Sequence, residues 1–357
     1  MDDKLIAPTP PAAATVSAPA SAIDPEAAFP TAQWVSAMRA LDAESASPRI
    51  GSNVNAGPDI YARALCGKEG REYSADWARL TKQSEEKAAR GLALRTMFID
   101  EHLMAAVGRG VRQIVILAAG LDARAFRLPL PADAAVYEVD VPRAHASKSR
   151  IVEEQGWSGP CARRVVEADL AETTWSAKLQ AAGFDPSQRS FFIIEGLFMY
   201  LPEGAPQQLL RGVSSLMAPG SQVCGDSFVG YLSLWPLPPL QEQLARWGTA
   251  WTWEVSTWAE LRELVGGAGM DGAGATLVSV NQQFDKLEAA PGTGKLICSR
   301  ACLGPCYALS MVLCCPCGGW RACTTPQETA STLLCCRDVG YGLYLADKAG
   351  EGPDMSR

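Results

Sequence analysis

Positive charge is in short supply. Lys and Arg number 32 against 39 Asp and Glu, a net charge of −7, and the basic residues are scattered rather than clustered. Such a chain is not expected to bind nucleic acid, whose phosphates call for a basic patch. Histidine is scarcer still, with only His102 and His145. Nucleophilic hydrolysis by a Ser/His/Asp or Cys/His group is therefore not expected, and neither is a His-bearing metal site of the usual spacing. No apolar run reaches the ~18 residues of a spanning helix. The start, Met1-Asp-Asp-Lys4, is acidic and has no apolar stretch, unlike a secretory signal or an Arg-rich transit peptide, so a cytoplasmic location is the expectation. The first 297 residues hold only Cys66, Cys161 and Cys224, a usual number for a reduced intracellular protein.

Two segments depart from this composition. Residues 7–30 are rich in Ala and Pro, and residues 1–30 are read as a disordered leader. The other nine of the twelve Cys fall between Cys298 and Cys336. They lack the paired C-x2-C units of zinc fingers, and 291–357 is read as a poorly ordered Cys-rich tail. The chain as a whole is 48 % apolar, ordinary for a soluble globular protein that can bury a large core, and that core is expected in 31–290.

Within it, helical spacing of apolar residues marks 31–43, 59–65 and 88–107. From Gln113 the pattern turns to short apolar strands alternating with helices. Strands are expected at 113–118, 135–139, 164–168, 191–194 and 222–226, with helices at 143–154, 174–182 and 205–217 between them. Helices at 239–247 and 257–265 and a strand at 275–280 follow. Strand-helix alternation predicts an α/β fold with a doubly wound, mainly parallel sheet and extra N-terminal helices, its strands covered on both faces.

Such sheets bind ligands beyond the carboxyl ends of their strands. The residues there are Gly120, Asp122, Asp140, Asp169, Glu195 and Asp226. A scaffold alone does not require five acids in that place. Gly120 permits a turn with N–H groups facing a ligand, or is a plain strand-to-helix turn. The single glycine falls short of the G-x-G-x-x-G of dinucleotide sites. Asp140, twenty positions on, suits the two hydroxyls of a ribose, or caps the helix that Pro142 begins. Glu138 sits one pleat away, as a partner or on the other side. Asp169 with Leu170 suits the edge of an adenine, or a surface turn. Glu195 ends an apolar strand, so it faces the cleft or needs a partner. Tyr200 and Phe198 follow it, as a ligand wall or as core. Arg95 could clamp a carboxylate with two hydrogen bonds, or be an exposed helix charge.

Several runs together carry a family likeness. They are Thr31-Ala-Gln-Trp-Val-Ser-Ala-Met-Arg-Ala40, Asp59-Ile-Tyr-Ala-Arg63, Arg95-Thr-Met-Phe-Ile-Asp100, Ile116-Leu-Ala-Ala-Gly-Leu-Asp-Ala-Arg-Ala-Phe-Arg-Leu128, Tyr137-Glu-Val-Asp-Val-Pro142 and Glu195-Gly-Leu-Phe-Met-Tyr-Leu-Pro202. In this order they resemble the leucine carboxyl methyltransferase family over about residues 31–285, closer to its bacterial O-methyltransferase branch. The resemblance implies a class I methyltransferase (Rossmann-like) fold and S-adenosyl-L-methionine as cofactor. By motif, Arg95 would hold the methionine carboxylate, Gly120 form the cofactor turn, Asp140 bind the ribose, Asp169 and Leu170 contact the adenine, and Glu195 sit near the amino group; Asp122 and Glu138 are further cofactor-binding candidates. Glu195 and Tyr200 are the positioning candidates. The segment 51–57 is longer than the usual link before Asp59, and the leader and the chain after about 290 have no counterpart.

A carboxylate acceptor is ionised at neutral pH and needs no general base, which suits a chain so poor in histidine. The expectation is O-methylation of a small-molecule carboxylate to a methyl ester. The alternatives are a protein C-terminal carboxylate as acceptor, an NAD-dependent oxidoreductase, and a non-catalytic nucleoside-binding relative.

Overall fold

A computed structural model describes residues 25–81, 84–230, 232, 238–271, 275–279 and 340–348. The described residues begin with a 3-10 turn, Pro25–Ala28, and three helices: α1 (Phe29–Ala43), α2 (Ala62–Thr81) and α3 (Glu85–Gly108). Residues 25–30, expected in the leader, lie in this turn and the start of α1, and residues 1–24 lie outside the described residues. Pro30 presets φ in the first turn of α1, where a missing N–H costs nothing. Ser84 caps α3 by accepting the Lys87 N–H, and Glu85 and Glu86 place negative charge at its positive end. The helix expected over 59–65 begins at Ala62 and continues to Thr81, across non-helical Gly67 at φ +61°.

The sheet follows: β1 (Gln113–Leu117), β2 (Ala135–Asp140), β3 (Ala162–Glu167), β4 (Ser190–Ile194), β5 (Gln222–Val229), β6 (Thr276–Ser279) and β7 (Gly340–Asp347). Between strands run α4 (Arg124–Arg127), α5 (Pro142–Gln155), α6 (Trp175–Ala181), α7 (Ala205–Ser215), α8 (Pro238–Arg246) and α9 (Trp258–Gly266). The strand order is β3-β2-β1-β4-β5-β7-β6. β1 to β5 pair in parallel, and β7 lies antiparallel between β5 and β6. This is the class I methyltransferase arrangement that the resemblance implied. Its order reverses between β1 and β4, which opens the ligand crevice at their carboxyl ends.

Pleating sorts the strand residues onto two cores. Ile114, Ile116, Phe191 and Ile193 pack under α3 with Phe98, Ile99 and Leu103. Val115, Leu117, Phe192 and Ile194 face the other way, onto Trp175, Leu179, Leu210 and Leu261. β1, β4 and β5 are buried along their whole length. β3 is not: Ala162, Arg164, Val165 and Glu167 are exposed, because it is the edge strand. The expectation that every strand is covered fails there.

The largest correction concerns the tail. Its residues 340–347 form β7, whose Tyr344 and Ala346 are buried in the core beneath α6, α7 and α9. The folded unit therefore does not end at residue 290. Gly225 of β5 shows how tight this packing is: a Cβ there would lie 2.3 Å from the Ile194 carbonyl and 2.7 Å from the Tyr344 hydroxyl. The nine Cys from Cys298 to Cys336 lie outside the described residues. Among the described residues no helix is long and apolar enough to cross a membrane, and no group of metal-ligating side chains is found.

Candidate functional site

The turn leaving β1 carries two residues with positive φ, Ala118 at +53° and Gly120 at +44°. A left-handed alanine is uncommon and marks a backbone held by its surroundings. What holds it is Asp140, at the end of β2. Its Oδ2 accepts the Gly120 N–H at 2.6 Å, and its Oδ1 accepts the Val141 N–H at 2.7 Å. Asp140 thus joins the ends of β1 and β2 rather than capping α5, whose N-cap is Val141 with no side-chain bond. Burial pushes the Asp140 carboxyl up from its ordinary value, against the pull of these two N–H groups.

At the end of β4, Glu195 is 6 % exposed and meets three guanidiniums. Arg39 of α1 lies 2.7 Å away, Arg95 of α3 2.9 Å and Arg124 of α4 2.7 Å. Burial alone would raise this carboxyl, but Arg124, Arg39 and Arg95 hold it well below the usual carboxylate range. Gly196 follows at φ +67° and donates its N–H to Asp226 of β5 at 2.7 Å. A Cβ on Gly196 would sit 3.3 Å from the Arg95 guanidinium, which also approaches Asp226 to 3.7 Å. The network extends downward through Arg124 and Arg127 to Asp100 and Asp59. Among the described residues its ion pairs join four arginines (39, 95, 124, 127) to five acids (59, 100, 122, 195, 226).

Two acids expected at the cofactor are committed elsewhere. Glu138 is fully buried and lies 2.7 Å from both Lys148 and Arg163, because its pleat turns it under α5. Asp122 is buried against Arg124, accepting its backbone N–H at 2.6 Å and pairing with its guanidinium. Asp169 is half-buried and accepts the Ala171 N–H at 2.8 Å, with half-buried Leu170 packed at the margin of the core. Phe198 is core, stacked on Tyr344 at 6.0 Å between centroids. Tyr200 is half-buried, and burial pushes its phenol up from the ordinary value.

The sequence reading missed Arg39 and Arg124 as partners of Glu195. Their signal was present: each is a cation inside a run of small and apolar residues, where it must be buried and therefore paired. α1 brings more than Arg39. Ala32 lies 3.2 Å from the place of a Cβ on Gly120, and Phe29 lies under the Arg143 guanidinium at 5.8 Å. The first helix therefore crosses the ends of β1 and β4.

A family model described as leucine carboxyl methyltransferase matches residues 32–214, the stretch from α1 to α7 that holds every site residue except Asp226. The chain belongs to the leucine carboxyl methyltransferase family. Among curated relatives in this family context, a protein of Mycobacterium tuberculosis (strain ATCC 25177 / H37Ra), assigned as an S-adenosyl-L-methionine-dependent methyltransferase, is 40 % identical over 207 residues. That match covers 56 % of this chain and 64 % of the relative. A protein of Mycobacterium ulcerans (strain Agy99) with the same assignment is 39 % identical over 206 residues, covering 56 % and 63 %. The chain thus spans just under two thirds of the length of these relatives. Among solved structures, a methyltransferase assignment from Thermobifida fusca is 17 % identical, with TM-score 0.44 over 88 % of this chain and 94 % of that one. A DUF574 family protein from Streptomyces avermitilis is 14 % identical, with TM-score 0.47 over 87 % and 100 %. The strand order, rather than these two likenesses, establishes the fold.

Proposed function

We propose that this protein is an S-adenosyl-L-methionine-dependent O-methyltransferase that esterifies a carboxylate of a small molecule. The cofactor supplies a methyl group already activated on a sulfonium. Family membership supports the cofactor, and so does the chemistry of the strand ends. Asp140 uses one lone pair of each oxygen on backbone N–H groups and keeps others for a ribose diol. Arg95 offers a guanidinium to a carboxylate, and Glu195 an anion to an ammonium. Asp169 and Leu170 are assigned to the adenine edge. Asp122 and Glu138 leave the proposed set, since Arg124, Lys148 and Arg163 occupy them.

The observation that carries the acceptor is the state of the two positioning candidates, Glu195 and Tyr200. Glu195, held by three guanidiniums, is a weaker base than an ordinary carboxylate. Tyr200 stays protonated at neutral pH, so it can donate a hydrogen bond but not take a proton. A phenol acceptor needs a base, whereas a carboxylate is already ionised. Residues that only bind, orient and exclude water are then sufficient.

Calorimetry with S-adenosyl-L-methionine, S-adenosylhomocysteine and NAD tests the cofactor. Binding of the first two without NAD is expected; the reverse would make the chain an oxidoreductase. Asp140→Ala should abolish measurable binding, and Arg95→Ala should cost about 2 kcal/mol or more, the loss of a buried charge partner. Incubation with panels of carboxylic acids and phenols, read by mass spectrometry for added methyl, tests the acceptor. Methylated phenols with untouched acids would refute the ester reading.

A further inference from the structure

β3 ends the sheet, and among the described residues nothing pairs with its outer side. The Ala162 and Ala168 amides donate to the Ala134 and Asp140 carbonyls at 3.3 and 2.9 Å. Backbone groups along a strand face alternate sides. The even-numbered residues of β3 therefore serve β2, and Arg163, Val165 and Glu167 direct their N–H and C=O groups outward. Their register against β2 is continuous from Ala162 to Glu167, with no bulge to turn the edge away. The strand has no Pro, and its charges, Arg163, Arg164 and Glu167, are of both signs. At its middle Val165 is 40 % exposed, one of two large apolar side chains so exposed among the described residues.

We propose that β3 pairs antiparallel with β3 of a second copy of this chain, about a two-fold axis at Val165. The two sheets would become one continuous sheet. An antiparallel ladder sets outward-facing residues against outward-facing residues, which leaves two-fold centres at residues 164, 165 and 166. Centring on Arg164 opposes that cation to its own copy. Centring on Val166 leaves Arg163 facing residue 169, beyond the strand. Only the Val165 centre matches all three outward residues. It sets Val165 against Val165 and, on either side, Arg163 against Glu167 of the other copy. Arg163 has donors to spare for this, since Glu138 engages one side of its guanidinium and its side chain remains 16 % exposed. On the opposite face, Arg164 meets Val166, so no like charges are opposed. The two-fold closes the contact, and association stops at the dimer.

Sedimentation velocity of the full chain under reducing conditions, over a range of concentrations, tests this together with hydrogen exchange. A reversible dimer is expected, with the amides of Arg163, Val165 and Glu167 slowing as concentration rises and those of Arg164 and Val166 slow throughout. Val165→Pro removes an outward N–H and leaves every bond to β2 intact, so it should yield a folded monomer. Glu167→Arg, which sets Arg against Arg163 twice, should weaken association tenfold or more, and it serves if Val165→Pro fails to fold. A monomer at all concentrations would overturn the proposal. So would a dimer in which the three odd amides exchange as fast as in dilute protein.

Discussion

Glu195 sits where one carboxylate answers three guanidiniums, and its replacement is the most revealing single change. Glu195→Gln leaves Arg39, Arg95 and Arg124 buried without their shared anion. Breaking one member of a buried ion network typically costs about 3–5 kcal/mol. The expected outcome is a large fall in thermal midpoint, measured by calorimetry; a midpoint within a degree or two of the parent would show that solvent, not protein, balances these arginines. Gly225→Ala should also destabilise, by about 1–3 kcal/mol as an overpacked core, since its Cβ meets backbone that cannot step aside. At this scale the sequence revealed that Glu195 must find either the cleft or a partner. Which one was decided by residues 39, 95 and 124, on three different helices, and no spacing in the chain announces such a meeting.

β7 is the element whose place composition disguised. It lies in a stretch that reads as tail, yet it fills the gap between β5 and β6 with eight residues paired to β5. Truncation after Ala290 should therefore unpair β5, strand β6 and expose the core that Tyr344 covers. Loss of the cooperative melting transition is expected; a truncated protein with undiminished stability would show that β7 contributes nothing. Ser279 of β6 stands opposite Gly342 of β7. The two strand ends are thus neighbours, and a short Gly/Ser linker in place of 281–339 should keep the sheet and its melting transition. Failure of that variant would mean that the Cys-rich stretch is itself required for folding. Most helices and strands from 29 to 266 were legible because they carry their own apolar period, but α4 and residues 66–81 of α2 were not, and neither was β7, with glycines at 340 and 342.

For the whole molecule, acid stability is set by two opposed groups of carboxyls. Unfolded Asp and Glu titrate near about 3.9 and 4.3. Glu195 and Asp122 are lowered in the fold by arginines that outweigh burial, so their contribution is present above those values and is lost as pH falls toward the folded ones. Asp42, Asp59 and Asp140 are raised by burial, so the folded state takes their protons first. Their contribution disappears as pH rises through the folded values and is complete below the unfolded ones. These shifted groups are expected to raise the thermal midpoint as pH falls toward about 4 and to lower it below, as the unfolded state takes up the protons that folded Glu195 and Asp122 still refuse. A steady decline from neutrality would contradict this balance. Glu195→Gln should flatten the acid limb.

By itself the sequence determined the alternation of strands and helices, hence a mainly parallel sheet with acids at its strand ends, and the family to which it leads. These are local properties, written in apolar period and in glycines and acids at fixed spacing. Tertiary structure decided which strand-end acids remain available. Pleating turned Glu138 under α5, and the tight turn after β1 gave Asp122 to Arg124, while Asp140 was left joining β1 to β2 at the crevice. It also decided that β7 enters the sheet between β5 and β6 from far along the chain and that, among the described residues, β3 is unpaired on its outer side. Such outcomes depend on which surfaces meet in three dimensions, and a pairing between distant segments leaves no period in either one.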